Sequence, residues 1–468
     1  MTMSKVDLVV KNGRIVTPTD ILEAGVAVDD GKIVSIARET NLPESEKTID
    51  ATGLLIFPGA IDQHVHILPP QRGYRKGPAQ ALRKGNFETE TISASFGGVT
   101  SVMDFINNEP ADDPLANLEN GMKEASSKSV IDFSFHFGTG QGWDPKDAVR
   151  YVDEAFDRGL TSVKARMCYR KQKCMADDDL LYVTLQQVAK RDGVYLIHAE
   201  NGLLVDYLMD KYVQEGRFGP KTQLEARPSW LEEEAVKSSL VLAREAGARA
   251  YIVHLTSKGG LEAILDARSR GQTVHIEVTP YFLFFTQEDT EKYWPLSRET
   301  PCFRTKADNE ALWQAIIRGQ VDTIGTDHSQ NTSEMKKMDD RVGGLTGVEV
   351  VFPLMYSECV KRGLTPSQVT SITSYNAARI FKLPGKGLVS VGCDADLVLL
   401  DPKKEMVVRA DKLHSKCDFT LFEGWRIKGV PVTIIRRGEV IVSKGEFHGK
   451  PGSGRFLGIN KERNKAKQ

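Results

Sequence analysis

Apolar positions along the chain fall into two textures. In roughly the first fifty residues, short apolar stretches alternate with Gly and Asp turns, as in Leu8-Val-Val-Lys-Asn-Gly-Arg-Ile-Val16, Gly25-Val-Ala-Val-Asp-Asp-Gly-Lys-Ile-Val34 and Lys47-Thr-Ile-Asp-Ala51. The same texture returns near the other end in Ala395–Leu400, Glu405–Arg409, Val430–Ile435 and Glu439–Ser443. Short runs bounded by turn residues predict hairpin-rich β-structure. Neither set alone supplies many strands for a core, so the two ends are expected to pair as one small β-sandwich, residues 1–57 with 385–468.

Residues 58–384 read differently, as apolar runs separated by helical stretches, the pattern of a parallel α/β fold. The predicted strands are Leu54–His66, Val99–Phe105, Ile131–Phe137, Thr161–Met167, Val194–Glu200, Ala250–Thr256, Thr273–Pro280 and Asp322–His328. Eight such runs predict a (β/α)8 TIM barrel.

Composition narrows the function classes. The chain has 468 residues, 40% hydrophobic and 27% charged, with a net charge of −1. That balance gives no electrostatic case for nucleic acid or a membrane surface, and leaves a small-molecule partner as the expectation. No apolar run approaches the length that crosses a bilayer. The six cysteines are scattered without a C-x-x-C pair, and the first residues enter a strand pattern directly. Reduced thiols and a cytoplasmic location are therefore expected.

Candidate chemistry sits at the ends of the predicted barrel strands. The first closes with Gly59-Ala-Ile-Asp-Gln-His-Val-His66. Residues two apart on a strand share a face, so His64 and His66 can approach one metal ion from the same side. His-x-His alone does not define a metal site. Its recurrence in context does: Val194-Tyr-Leu-Ile-His198, Ala250-Tyr-Ile-Val-His254 and Val321-Asp-Thr-Ile-Gly-Thr-Asp327 put further ligand types at other strand ends. Four neutral histidines and one aspartate would hold two zinc ions only with more bridging anion than Asp327 supplies. Lys164, near the end of another inner strand, is costly to bury as a cation. It becomes a bridging anion if its amine carries CO2, a conversion that spacing alone does not reveal.

The conversion is implied by a resemblance. The segments just quoted, with Phe87-Glu-Thr89, Gly97-Gly-Val-Thr100, His198-Ala-Glu-Asn201, Val253-His-Leu-Thr-Ser257, Glu277-Val-Thr-Pro-Tyr281, Gly325-Thr-Asp-His328, Gly344-Leu-Thr-Gly-Val-Glu349, Leu421-Phe-Glu-Gly-Trp425 and Gly449-Lys-Pro-Gly-Ser-Gly-Arg-Phe456, resemble the dihydropyrimidinase and hydantoinase branch of the amidohydrolase superfamily, in order and over nearly the whole chain. The resemblance implies two zinc ions (other divalent metals being accepted by such ligands), one on His64, His66 and Asp327 and the other on His198 and His254. Carboxylated Lys164 and a hydroxide would bridge them. It implies hydrolysis of a cyclic amide to an N-carbamoyl amino acid, with Asp327 shuttling the proton and Tyr169 bonding the oxyanion. The ring edge would be held at Thr300 and Gly343, where the family commonly has serine and asparagine. A homotetramer or homodimer is also implied. Non-catalytic relatives such as the collapsin response mediators lack a complete ligand set, whereas every position is filled here. Dihydroorotases, close rivals with allantoinases, typically carry arginine where this chain has Leu68.

Two segments depart from the family. Lys164-Ala-Arg-Met-Cys-Tyr169 places Arg166 where phenylalanine is usual, and the loop 71–76 carries Arg72, Arg75 and Lys76. Either Arg166 pairs with an acidic neighbour and the loop is merely solvated, or both favour a substrate with a carboxylate. Among the other histidines, His136, His275, His414 and His448 are expected to be structural. His328 is expected to face away from the metals, with a supporting role beside them as the alternative. Asp104 is read as structural.

Overall fold

Strands near both ends of the chain meet in one mixed sheet. In the computed structural model, which describes residues 5–68, 79, 82–109 and 112–459, Arg14–Val16, Ile21–Glu23 and Leu55–Pro58 join Leu397–Val407, Arg426–Arg436, Glu439–Ser443 and Glu446–Phe447 in seven strands. A second sheet of four strands, all from residues 6–50, lies against it. Leu8, Val10, Val26 and Val28 from one sheet pack with Ile15, Ile56, Leu397, Leu399 and Ile435 from the other, all buried. This is the expected two-ended sandwich. The loop 71–76 lies outside the described residues.

The remaining strands are parallel, in the spatial order Thr323–Ile324, Val274–Val278, Ala250–Ile252, Val194–His198, Ser162–Arg166, Asp132–Gly138, Val99–Ile106, Ala60–His66, His328–Ser329. Its two outermost members both come from the predicted eighth strand. Thr323–Ile324 pairs with Val274–Val278, while His328–Ser329 pairs with Ala60–His66, so the segment 325–327 closes the barrel. The expected continuous strand is broken there because Asp327 adopts φ 52°, outside any strand conformation.

The predicted first strand is also two strands. Leu55–Pro58 runs antiparallel to Leu397–Leu400 in the sandwich, whereas Ala60–His66 belongs to the barrel. Gly59 at the junction lies so close to Thr100 that a Cβ would fall 1.9 Å from its Oγ1. A glycine at 59 leaves the Thr100 side chain the space that a Cβ would fill.

Alternation along the barrel strands sorts the side chains. Val102, Phe133, Phe135, Phe137, Val163, Tyr195, Ile197 and Ile276 join the buried cluster shared with the surrounding helices. Ile61, Met103, Phe105, Val194, Leu196 and Tyr251 form a separate inner cluster, with Ala377, Ile380 and Phe381 from a late helical segment packed on it. An apolar plug therefore fills the inner face toward the strand starts, leaving the carboxyl ends for polar groups. No helix among the described residues is long and apolar enough to cross a membrane.

Candidate metal centre

The six ligand-type side chains named from the sequence all line one cavity of about 560 Å³ at the carboxyl ends of the strands, and so do Tyr169, Arg166, Thr300 and Gly343. The Nε2 atoms of His64 and His66 converge on Asp327 Oδ1, at 3.2 and 2.8 Å. The rings of His198 and His254 are 4.5 Å apart, and those of His64 and His254 5.4 Å apart. Tyr169, His254 and Asp327 have φ of 70°, 38° and 52°. Non-glycine residues adopt such angles at a cost of about 1–3 kcal/mol each, and persist there where the surroundings over-determine them.

Carboxylates fix which histidine nitrogen faces the centre. Glu277 Oε1 takes His64 Nδ1 at 2.6 Å, leaving Nε2 inward. Glu200 Oε2 lies 3.4 Å from His198 Nε2, which leaves Nδ1. Glu277 is fully buried and also accepts from the His254 amide, Gln63 and Tyr251. Glu200 is held by Arg227. Hydrogen bonds from ligating imidazoles to carboxylates select the tautomer and raise ligand basicity. The sequence offered Glu277 and Glu200 only as members of quoted segments. The signal for Glu277 is a carboxylate inside the apolar run Val274–Val278, which must find buried partners.

Lys164 decides what the cluster can hold. It is 2% exposed, and among the described residues its Nζ has no hydrogen-bond partner and lies 5.5 Å from the centre of the Phe105 ring. Burial, then the charge of Arg166, pulls its pKa down to about 7. His254 Nδ1 likewise has no hydrogen-bond partner among the described residues. Burial, joined by the charges of His198 and Lys164, keeps His254 neutral, and burial does the same for His198 with a pKa of about 4. At His64 burial is outweighed by Glu277, then Asp327, which raise its pKa to about 9 in the metal-free protein. The neutral His198 and His254, the carboxylate and the orphaned amine are the donor types of a metal site.

Around the centre, the Tyr169 hydroxyl shares a hydrogen bond with Thr300 Oγ1. Burial holds the Tyr169 pKa well above its usual value, so the phenol stays protonated. The Thr300 amide donates to Glu299, and the Gly343 carbonyl accepts from Asn331. The Thr300 carbonyl and the Gly343 amide have no hydrogen bond among the described residues.

Among the described residues Arg166 has no ion pair with an acidic side chain; its guanidinium donates to the Asn107 side-chain oxygen at 2.7 Å. His136 bonds Ser162 and the Gln63 carbonyl, and His275 bonds Asp322, both structural roles. His328 turns to Glu90 and the Gly347 amide. His414 stacks on Phe96 and bonds Glu349, and His448 bonds Ser443. Asp104 accepts the amides of Ile67 and Leu68 and so braces the chain just after His66.

Residues 55–441 match the Amidohydrolase family. The chain belongs to this family. The amidohydrolase is 35% identical over 462 residues to a D-hydantoinase of Ralstonia pickettii, covering 96% of this chain and 98% of that one. An allantoinase of Enterococcus faecalis is 30% identical over 449 residues, covering 94% and 96%. Among solved structures, a D-hydantoinase (dihydropyrimidinase) from Thermus sp. superposes with a TM-score of 0.90 at 30% identity, covering 96% of this chain and 98% of that one. The family places a metal-dependent hydrolase chemistry on this barrel, and the barrel-plus-sandwich architecture is shared with the hydantoinase structures.

Proposed function

We propose that this amidohydrolase opens hydantoin or dihydropyrimidine rings at the amide bond, giving an N-carbamoyl amino acid. The observation that carries the reading is the buried, unpartnered Lys164 amine ringed by His64, His66, His198, His254 and Asp327. The greater identity to a hydantoinase than to the allantoinase favours these rings over allantoin.

His64, His66 and Asp327 would hold one divalent ion, zinc being the expected one, and His198 and His254 would hold the other, with Lys164 as its carbamate a further ligand of the same cluster. The uncharged Lys164 amine adds to CO2 and loses a proton, which a pKa of about 7 permits at neutral pH. Metal ions there supply Lewis acidity and a water that ionises near neutral pH.

The remaining steps belong to side chains. Hydroxide adds to the ring carbonyl carbon, and negative charge develops on its oxygen. The Tyr169 O–H, held protonated, donates to that oxygen, an interaction strongest in the transition state. Asp327 Oδ accepts the proton of the adding hydroxide and delivers it to the ring nitrogen as the carbon–nitrogen bond breaks. An amide nitrogen leaves poorly unless protonated, which is why the carboxylate must serve in both directions. The Thr300 carbonyl and Gly343 amide orient the ring's N–H and C=O edge.

The test is ring-opening kinetics with hydantoin, dihydrouracil and allantoin after reconstitution in zinc and bicarbonate. Turnover of the first two above allantoin supports the reading, and preference for allantoin overturns it.

A further inference from the structure

Arg166 gives the cavity a specificity that the ring-opening reading alone does not contain. Lys164 and Arg166 are two apart on the strand Ser162–Arg166, so both face the barrel interior, with Arg166 about 6.6 Å further toward the mouth. Arg166 is half-buried and lines the cavity beside the metal centre.

Most other cations of the cavity wall are committed within the protein. Arg227 is held by Glu200, Arg217 by Glu215 and Glu225, Arg341 by Asp339 and Lys171 by Asp210. Arg83 and Arg298 are engaged by backbone carbonyls. Arg166 alone is met by a neutral side-chain amide, Asn107, and forms no ion pair among the described residues. A guanidinium has five N–H donors in a planar fork, and Asn107 takes one of them.

We propose that Arg166 binds a carboxylate on the ring's exocyclic substituent, so that the substrate class is a cyclic ureide or imide bearing a short carboxyalkyl group. The proposal rests on the ring-opening reading above. With the ring carbonyl at the level of Lys164, a substituent of one or two carbons spans the strand step to Arg166. A bidentate arginine–carboxylate pair supplies both affinity and orientation, and a hydrocarbon substituent of the same size leaves the guanidinium desolvated and unpaired.

The experiment compares kcat/KM for carboxyethylhydantoin and its primary amide, which match in size and differ in charge. It uses the reconstituted wild type, Arg166→Met and Arg166→Lys, with metal content measured for each. Wild type is expected to prefer the acid by about tenfold or more, the strength of one charge-assisted hydrogen bond. Arg166→Met should erase that ratio at unchanged metal content, and Arg166→Lys should retain part of it. A wild-type ratio near one, or an equal loss on both substrates in Arg166→Met, overturns the proposal. If Arg166→Met does not fold, the wild-type ratio and Arg166→Lys still decide. Opening of unsubstituted hydantoin without acid preference sinks this inference alone, whereas no opening of any of these rings sinks the ring-opening reading with it.

Discussion

Replacing Glu277 by glutamine tests whether the centre depends on the carboxylate behind it. Glu277 makes four buried hydrogen bonds: Oε1 to His64 Nδ1 at 2.6 Å and to the His254 amide at 3.0 Å, and Oε2 to Gln63 and the Tyr251 hydroxyl, both at 2.9 Å. Glutamine keeps the shape but removes the charge and turns one oxygen into an NH2 donor. If the NH2 faces His64 and the His254 backbone, three N–H donors crowd together and that pair of bonds fails. If it faces the other way, a turn of the Gln63 amide and of the Tyr251 hydroxyl lets both accept, and His64 keeps its bond but to a neutral oxygen. Either outcome weakens the charge-assisted hold on the His64 ring. Removing such a partner lowers metal affinity about 10–100-fold, or about 1.4–2.8 kcal/mol. That agrees with losing one charge-assisted bond, about 1.5–3 kcal/mol. Competition of the purified variant against a zinc-chelating dye gives the affinity, and a melt of the metal-free protein gives the fold's share. A melting temperature lowered by several degrees with zinc affinity unchanged would refute the assignment and leave Glu277 as a packing residue.

Three further outcomes follow from the same geometry. Tyr169→Phe removes one donor to the oxyanion and should lower kcat by about 10²–10³ while KM changes little; a change confined to KM contradicts that role. Lys164→Ala should lose metal retention and turnover together, measured by elemental analysis and ring-opening rate, and a fully loaded, active variant would remove Lys164 from the centre. Lys386, 1% exposed at its side chain, contacts Asp132, Asp396 and Asp394 at 2.6, 2.7 and 2.9 Å, tying a barrel strand to the sandwich. Lys386→Met takes the close cation from the buried Asp132 and Asp396, while Asp394 keeps Lys32 and Arg455, and should cost about 3–5 kcal/mol of stability, visible as a large fall in melting temperature.

Period-two alternation made the barrel legible in the sequence, and strand-end histidines pointed to one shared face, because both depend on local geometry, whereas the part given to Lys164 came only from the family resemblance. What stayed hidden depends on residues far apart. Glu277 meets His64 across 213 residues, and no local pattern announces that pairing. The split of the eighth strand follows from the left-handed turn at Asp327, a conformation that aspartate tolerates better than most residues but that no local pattern announces. The division of the first strand at Gly59 is set by Thr100 on the neighbouring strand. Arg166 was conspicuous as a type, but its neutral partner, Asn107, lies 59 residues away, and the proposal for Arg166 rests on that partner.

The most direct test of the account is a titration of the metal-free protein with zinc in bicarbonate buffer while hydantoin opening is followed. A binuclear centre built on Lys164 predicts that activity climbs and saturates at two equivalents of zinc per chain. Saturation at one equivalent, or full turnover without added metal, would contradict it.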